Sequence, residues 1–437
     1  MPPARGCPTP RGGADRLERH GHAERARPAG GSYRFCPGVK VATVTELYWD
    51  PYDKVIDVNP YPVWHRMRDE SPVYFNEKFG FYAFSRHADV DDASLDPETY
   101  SSAYGTVLEI MGDQPYDNGM IIFTDPPSHT MMRVLVSRGF TPRRIAKLEE
   151  HIRALSAQLL DPFVGTSGFD FVQDFSAILP SMVISELIGV DPADREEVRK
   201  LIDTTFHIDP EKGMLNDISF GAQIKLHEYF GAQIEERRKN PREDVMTALT
   251  EAEIGTAEGT RRLTTKEASD FTNLLVSAGT ETVARLLGWA CALLAKHPEQ
   301  RAALAADSSL LPGAVEETLR FEAPSPVQGR TTTKEVELHG VTIPEHSKVL
   351  LLTASANRDE RKYPGADTYD IRRKFDSHTS FGHGPHFCLG ASLARMEGRV
   401  ALEEVLKRFP TWEIDHDNVH RLHTSTVRGY EKLPVLI

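Results

Sequence analysis

Residues 381–390 read Phe381-Gly-His-Gly-Pro-His-Phe-Cys388-Leu-Gly390. Gly382, Gly384 and Pro385 break regular structure, and helical periodicity resumes from Leu389 to Arg408, so Cys388 is expected at a loop-to-helix junction. At such a junction, unsatisfied backbone N–H groups and the positive end of the helix dipole favour a thiolate. Glycines beside the sulfur let a flat, bulky group approach the backbone, and Phe381 is placed to shield the sulfur from water. The plain alternative is an inert buried cysteine beside a glycine-rich turn. Against it stands coincidence: at average composition, F-x-x-G-x-H-x-C-x-G arises by chance in on the order of 1 in 10⁵ chains of this length.

This decapeptide resembles the haem-thiolate loop of the cytochrome P450 monooxygenases in their soluble bacterial form. The resemblance extends from about Tyr48 to the C-terminus. It implies the cytochrome P450 fold, mainly α with small β-sheets (α+β), with a long central helix over the haem. It also implies that Cys388 is the proximal ligand of haem iron, within a cofactor-binding loop that includes Phe381, Gly384, His386 and Gly390. The implied cofactor is haem b (iron protoporphyrin IX) with an axial thiolate, which donates electron density that favours O–O cleavage.

Length and composition rule out a small stapled scaffold and a mainly disordered chain. The 437 residues include 51 basic and 64 acidic side chains, a net charge of −13, and 40% are hydrophobic. A chain of this size buries roughly three-quarters of its surface on folding. The acidic balance argues against nucleic acid as the main partner. Cys7, Cys36, Cys291 and Cys388 are far apart and form no C-x-x-C pair, so neither a zinc cage nor a disulfide framework is indicated. The longest apolar run, Leu286 to Ala295, is about half a bilayer span. No apolar signal core opens the chain, and a cytoplasmic protein with no membrane anchor is expected.

Residues 1–40 differ in composition: seven arginines from Arg5 to Arg34 are interleaved with Pro and Gly, and apolar residues are few. They read as a disordered extension, and residues 41–437 as a single haem-thiolate monooxygenase domain. Strand pairs are expected over Val73 to Val90, turning at Asn76-Glu77-Lys78, and over Val336 to Leu352, turning near His339-Gly340. Helical periodicity marks Pro142 to Phe163, Asp194 to Phe206, Ile218 to Arg238, Thr265 to Lys296 and Leu389 to Arg408. Ser101 to Gly119 and Pro364 to Gly384 resist assignment, and loops of that length are usually functional.

Thr264-Thr-Lys-Glu267 is a capping box that opens a helix running to about Lys296. Its middle, Ala278-Gly279-Thr280-Glu281-Thr282, pairs a costly mid-helix glycine with an acid among apolar neighbours. Alone, this reads as a kink or a solvated stripe. Beside the cysteine loop it is similar to the family's oxygen-binding helix. The resemblance then implies that Gly279 opens a groove for dioxygen, Thr282 hydrogen-bonds at the site of oxygen activation, and Glu281 relays protons from solvent.

Glu317-Thr-Leu-Arg320 places an acid and a base on one helical face, by itself a weak surface pair. The family counterpart is a buried E-x-x-R pair completed by an arginine, matching Arg373 here, which holds the cysteine loop in place. Four basic residues match the family's anchors for the haem propionates: His129, Arg133, Arg330 and His386. Arg143, Arg144, Lys147, Arg372, Arg395 and Arg399 lie in segments that the family places on the cysteine side. They form a candidate docking patch for an acidic electron donor, weighed evenly against scattered solvated charge.

Substrate contacts are expected from Ser101 to Gly119 (Val107, Leu108, Ile110, Met111), from Leu201 to Tyr229 (Phe206, Met214, Phe220), and from Pro326-Val327-Gln328 and Ser425-Thr426-Val427. These suggest an apolar pocket for a small hydrophobic substrate of lipid, terpenoid, steroid or polyketide-like kind. No G-x-G-x-x-G follows a strand, so no bound flavin or NAD(P) is expected, and electrons should come from a ferredoxin and its reductase. The implied reaction inserts one atom of O₂ into the substrate, by hydroxylation or epoxidation. Three alternatives stay open: a peroxide-driven peroxygenase, a non-catalytic haem protein that binds a ligand, and a haem-free enzyme with Cys388 as nucleophile beside His386.

Overall fold

The computed structural model describes residues 46–437 apart from 117–119, 206–212, 214–215 and 257–258. The segment 1–40, Gly119, Phe206 and Met214 lie outside the described residues. Residues 46–437 form one compact unit.

The helix Thr265–Lys296 runs through the core, with the bounds its sequence signals predict. Thr264 Oγ1 accepts from the Glu267 N–H, and the Glu267 carboxylate accepts from the Thr264 N–H, which satisfies donors that a helix start would leave unpaired. Most of its side chains are buried on several faces, so it behaves as a core helix rather than a half-exposed one. The helices Ile178–Ile188, Asp217–Lys239 and Ala391–Arg408 all pack against it. Gly279 permits the first of these approaches: a Cβ there would lie 2.8 Å from Ile184 Cγ1.

The principal sheet has five strands, in the order Val73–Asn76, Phe81–Phe84, Lys348–Leu351, Gln328–Thr332, Tyr100–Ser101. Val73 pairs Phe84 across the expected hairpin, and Val349 pairs Arg330. That second register carries Arg330 into the protein at a strand interior, where it is 4% exposed. The smaller hairpin, Val336–Leu338 with Val341–Ile343, turns through His339 and Gly340, both at positive φ (53° and 77°), as a two-residue turn requires.

Periodicity placed the longer helices well and shortened or missed others. Pro142 to Phe163 divides into Pro142–Ala146 and Glu149–Leu160, followed by a tight turn. The structure adds helices Tyr61–Glu70, His87–Leu95, Ser128–Ser137 and Ile178–Ile188, and extends the helical turn at Glu317–Arg320 to Leu311–Phe321. Ile178–Ile188 is apolar nearly all round and so carries no 3.6-residue contrast.

Candidate functional site

Cys388 is reached through two short 3₁₀ turns, Thr379–Phe381 and Gly384–His386. Gly384 has φ +67°, and a Cβ there would sit 2.5 Å from the Ser94 carbonyl oxygen, so only glycine fits this bend. The Cys388 N–H donates to the Phe381 carbonyl at 2.7 Å, closing the loop on itself. The helix Ala391–Arg408 then starts with Gly390 at its N-cap. At Gly390 an added Cβ would meet nothing within 4 Å, and the residue lines the central cavity, so its bare backbone leaves room for a broad ligand. Burial pushes the Cys388 thiol up, while the Gly390 N–H and the charges of Arg133 and Arg395 pull it down. A cationic partner at the sulfur would tip that balance towards thiolate.

Cys388 faces a cavity of about 370 Å³ that Ala278, Gly279, Thr282 and Leu286 of the central helix line from another wall. This is the size of a ligand pocket, whereas two neighbouring cavities of about 20 and 10 Å³ hold a water molecule at most. Phe381 is 8% exposed and lines the cavity, with the Arg395 guanidinium 4.6 Å over its ring.

Four basic residues share the rim of this cavity. His129 and Arg133 come from the helix Ser128–Ser137, Arg330 from the strand Gln328–Thr332, and His386 from the cysteine loop. The His129 and His386 rings are 4.3 Å apart. Neither His129 nitrogen nor His386 Nε2 has a hydrogen-bond partner, although all are buried. Burial, reinforced by Arg133, lowers His129 to about 4. Burial, with Arg330, His129 and Arg133, lowers His386 to about 2. Burial also lowers Arg330 to about 10, against the opposing pull of Asp125. Unpaired buried donors and crowded positive charge are costly, and a ligand presenting carboxylates would relieve both. The residues present therefore fit a broad, flat ligand with acidic substituents at this edge and a soft cation near Cys388.

The central helix departs from the reading of its motif at two residues. Thr282 reaches the cavity, with its hydroxyl donating to the Ala278 carbonyl at 3.0 Å. Glu281 is absent from the cavity lining and its carboxylate is paired with Arg285 at 2.5 Å. Consecutive helical residues point about 100° apart, from 3.6 residues per turn, and here that rotation carries Glu281 out of the lining while Thr282 and Val283 stay in it. Gly279 contributes backbone to the cavity, and the missing side chain makes room for Ile184.

Glu317 and Arg320, both with 0% exposed side chains, form a two-pronged ion pair at 2.7 and 2.8 Å. Arg373 Nε donates to Glu317 Oε1 at 3.3 Å. Arg320 Nη1 donates to the Asn357 carbonyl, and the Asn357 side chain bonds the Thr379 N–H and Ser380 Oγ at the start of the cysteine loop. A continuous set of bonds thus runs from the buried pair to the loop.

Of the candidate docking residues, Arg395 is held two-pronged by Glu316 and Arg399 by Glu149. Arg143, Lys147 and Arg372 are exposed and Arg144 is half-buried. Among the candidate substrate contacts, Val107, Val327, Gln328 and Thr426 line the cavity. Leu108 and Met111 pack instead with Trp49 and Trp64 on the sheet, and Phe220 is 69% exposed. Ile110, Ser425 and Val427 are absent from the cavity lining. Ile121, Ile122, Leu274 and Leu275 line it unforeseen. Leu274 and Leu275 precede Ala278 and Gly279 by one helical turn, a spacing visible in the sequence. Glu397, one face down the cysteine helix, was also not anticipated.

The cytochrome P450 family model matches residues 98–428. Cytochrome P450 130 of Mycobacterium tuberculosis is 37% identical over 389 residues, 86% of this chain and 94% of that one. The erythromycin C-12 hydroxylase of Saccharopolyspora erythraea is 39% identical over 377 residues, 85% and 92% of the two chains. A solved structure of a P450 EryK mutant in complex with erythromycin B superposes with a TM-score of 0.80 at 35% identity, covering 87% of this chain and 96% of that chain. The chain belongs to the cytochrome P450 family and is a cytochrome P450 monooxygenase with a haem-thiolate cofactor.

Proposed function

Starting from that family membership, we propose that this enzyme uses haem b, receives electrons from a ferredoxin and its reductase, and inserts one oxygen atom from O₂ into a neutral hydrophobic substrate by hydroxylation or epoxidation. The observation that carries this is a single cavity shared by Cys388, Thr282 and the unpaired basic nitrogens of His129 and His386. When bound there, thiolate-ligated haem supplies the activation of dioxygen. Cys388 is its ligand. His129, Arg133, Arg330 and His386 hold its propionates with charge-assisted hydrogen bonds. Phe381 keeps water from the sulfur, and Gly384 and Gly390 shape the loop around the ring.

Thr282 holds a rotatable hydroxyl at the reacting space and passes a proton there. Glu281 stands behind it with its carboxylate on Arg285, so relay through Glu281 requires that ion pair to open. Glu317, Arg320 and Arg373 keep the cysteine loop in register and take no part in chemistry. Val107, Ile121, Leu274 and Val327 give the substrate space an apolar wall, consistent with a lipid, terpenoid, steroid or polyketide-like molecule. Erythromycin-modifying relatives place polyketide-like molecules first among these to test. No helix of the described residues is long and apolar enough to cross a membrane, and we place the enzyme in the cytoplasm.

The test is the reduced carbon monoxide difference spectrum. Wild type should give the thiolate-ligated signature, and Cys388→Ser should lose it while keeping its fold by circular dichroism. A haem-free purified protein, or an unchanged spectrum in the variant, would overturn the reading. Hydrophobic compounds that displace water from the ferric iron, seen as a low-to-high-spin shift, then identify the substrate class.

A further inference from the structure

Two segments that wall the central cavity are joined by a hydrogen bond from Ser425 Oγ to Glu109 Oε1. The first segment, around the 3₁₀ turn Leu108–Ile110, presents Thr106 and Val107 to the cavity. The second is the turn between the strands His420–His423 and Arg428–Lys432, and it presents Thr426. Each is closed on itself. In the first, the Gly112 N–H donates to the Tyr104 carbonyl at 3.1 Å and the Tyr116 hydroxyl to the Ile110 carbonyl at 2.7 Å. In the second, Thr424 Oγ1 accepts from the Val427 N–H at 2.8 Å and the Thr426 N–H at 3.2 Å. Internal bonding of this kind lets each segment keep its shape, so the Glu109–Ser425 bond governs how far apart the two stand.

Packing does not seal their junction. A space of about 10 Å³ lies there, against Thr106, Val107, Val327, Ser425 and Thr426. All of these except Ser425 also line the central cavity, so the partition between the two spaces is one side chain thick. A second space, of about 20 Å³, also touches Ser425. Side chains beside such gaps lack contacts that would resist separation. The bond itself is finely balanced, because Glu109 Oε2 is buried without a partner. Opening would return that oxygen to water and remove the cost of burying it.

We propose that the Glu109–Ser425 bond sets the upper size of the substrate: a hydrophobic molecule that fits with the bond made binds freely, and a bulkier one enters only by breaking it and joining the small space to the central cavity. The proposal rests on the reading of this cavity as the haem and substrate site. Haem and substrate share about 370 Å³, so the room left for substrate depends on how far the walls give. A ligand that needs the opened form is bound more weakly in proportion to the fraction of molecules that are open, and a ligand that fits the closed form is not. Glu109 and Ser425 are absent from the cavity lining and act through Val107 and Thr426, as positioning residues.

Binding of imidazole, phenylimidazole and clotrimazole to the haem-loaded protein tests this, because these azoles ligate haem iron through a nitrogen and differ in bulk. Ser425→Ala and Glu109→Ala should each bind clotrimazole severalfold more tightly than wild type does, with phenylimidazole between and imidazole about equal. Glu109→Gln keeps an acceptor for the Ser425 hydroxyl and should behave as wild type. The double alanine variant should match the singles, since one bond is lost only once. Equal clotrimazole-to-imidazole affinity ratios in wild type and both single variants overturn the proposal. So do single effects that add in the double variant, or a Glu109→Gln that behaves as Glu109→Ala. Should one single variant not fold, the other breaks the same bond from its own side and the same ratio decides. A wild type that binds no azole would be a failure of the haem reading, and would take this proposal with it. Azole ligation with unchanged ratios, at full haem content, fails the proposal alone.

Discussion

The Glu281 carboxylate rests on the Arg285 guanidinium at 2.5 Å, one helical turn away, with the two side chains only 7% and 9% exposed. Arg285 also donates to the Tyr430 carbonyl, which joins the central helix to the strand Arg428–Lys432. Replacing Arg285 by Met strands a buried carboxylate, and breaking such a pair costs about 3–5 kcal/mol. The urea midpoint should fall for Arg285→Met and partly recover in the double variant with Glu281→Gln. Equal midpoints for the single and double variants would mean that the pair contributes nothing.

Thr282→Ala should leave haem content and the substrate-induced spin shift intact and divert electrons to peroxide. The reason is geometric: Thr282 carries the central helix's hydroxyl in the cavity lining, and alanine cannot donate a proton. Peroxide and product measured per electron consumed decide this. Wild-type coupling in the variant would remove Thr282 from proton handling.

The basic rim predicts a pH effect with a definite sign. His129 sits at about 4 in the folded chain against an ordinary 6.5. Between those values the unfolded chain binds more protons, so stability of the haem-free protein should fall as pH drops from 6.5 towards 4. His129→Gln should flatten that slope in denaturant titrations run across the interval. Propionates arriving beside His129 and His386 would raise both groups, so haem binding should take up protons near neutral pH. Calorimetry in buffers of different ionisation heat counts them, and zero uptake would argue against these two histidines as anchors.

Glu317→Gln should be among the most damaging single changes. It leaves Arg320 buried with its charge uncompensated, at a cost of about 3–5 kcal/mol. The amide keeps one oxygen, so either Arg320 Nε, which donates to Oε2, or Arg373 and the Asp370 N–H, which donate to Oε1, meets an NH₂ group instead of an acceptor. Because the bonds continue through Asn357 to Thr379, haem retention should fail along with thermal stability. A variant that keeps full haem content would show that the loop holds its shape without the pair.

Docking of an acidic donor should depend on Arg143, Lys147 and Arg372 more than on Arg395 and Arg399. The last two already face Glu316 and Glu149, so their charges are largely compensated. Charge reversal at Arg143 and Lys147 should slow ferredoxin-driven reduction and weaken its salt dependence, while Arg399→Gln should do little. Rates insensitive to salt in the wild type would rule out electrostatic steering.

The capping box at Thr264–Glu267, the cysteine loop and the two hairpins were all legible in the chain because each is a local pattern. Their signals lie within a few residues and depend on backbone rules that hold anywhere. The helix Ile178–Ile188 was illegible because it is apolar nearly all round, with only Ser181, Ser185 and Glu186 polar. Leu108 and Met111 were misplaced because apolar composition does not tell a cavity wall from the packing under a sheet. Glu397 escaped notice because an acid in an otherwise regular helix looks like a solvated position until its neighbours are known.

By itself the sequence pointed to the family, the cysteine-bearing loop and the central helix with its N-terminal capping box. These follow from short motifs whose spacing along the backbone is their geometry. Only the tertiary structure decided which side chains share the cavity. Glu281 turned away to Arg285, Gly279 accommodated Ile184, and Glu397 came in from a helix more than a hundred residues downstream of Thr282. Burial and the direction of a side chain are set by how whole helices and strands pack against one another, and no local window of residues contains that information.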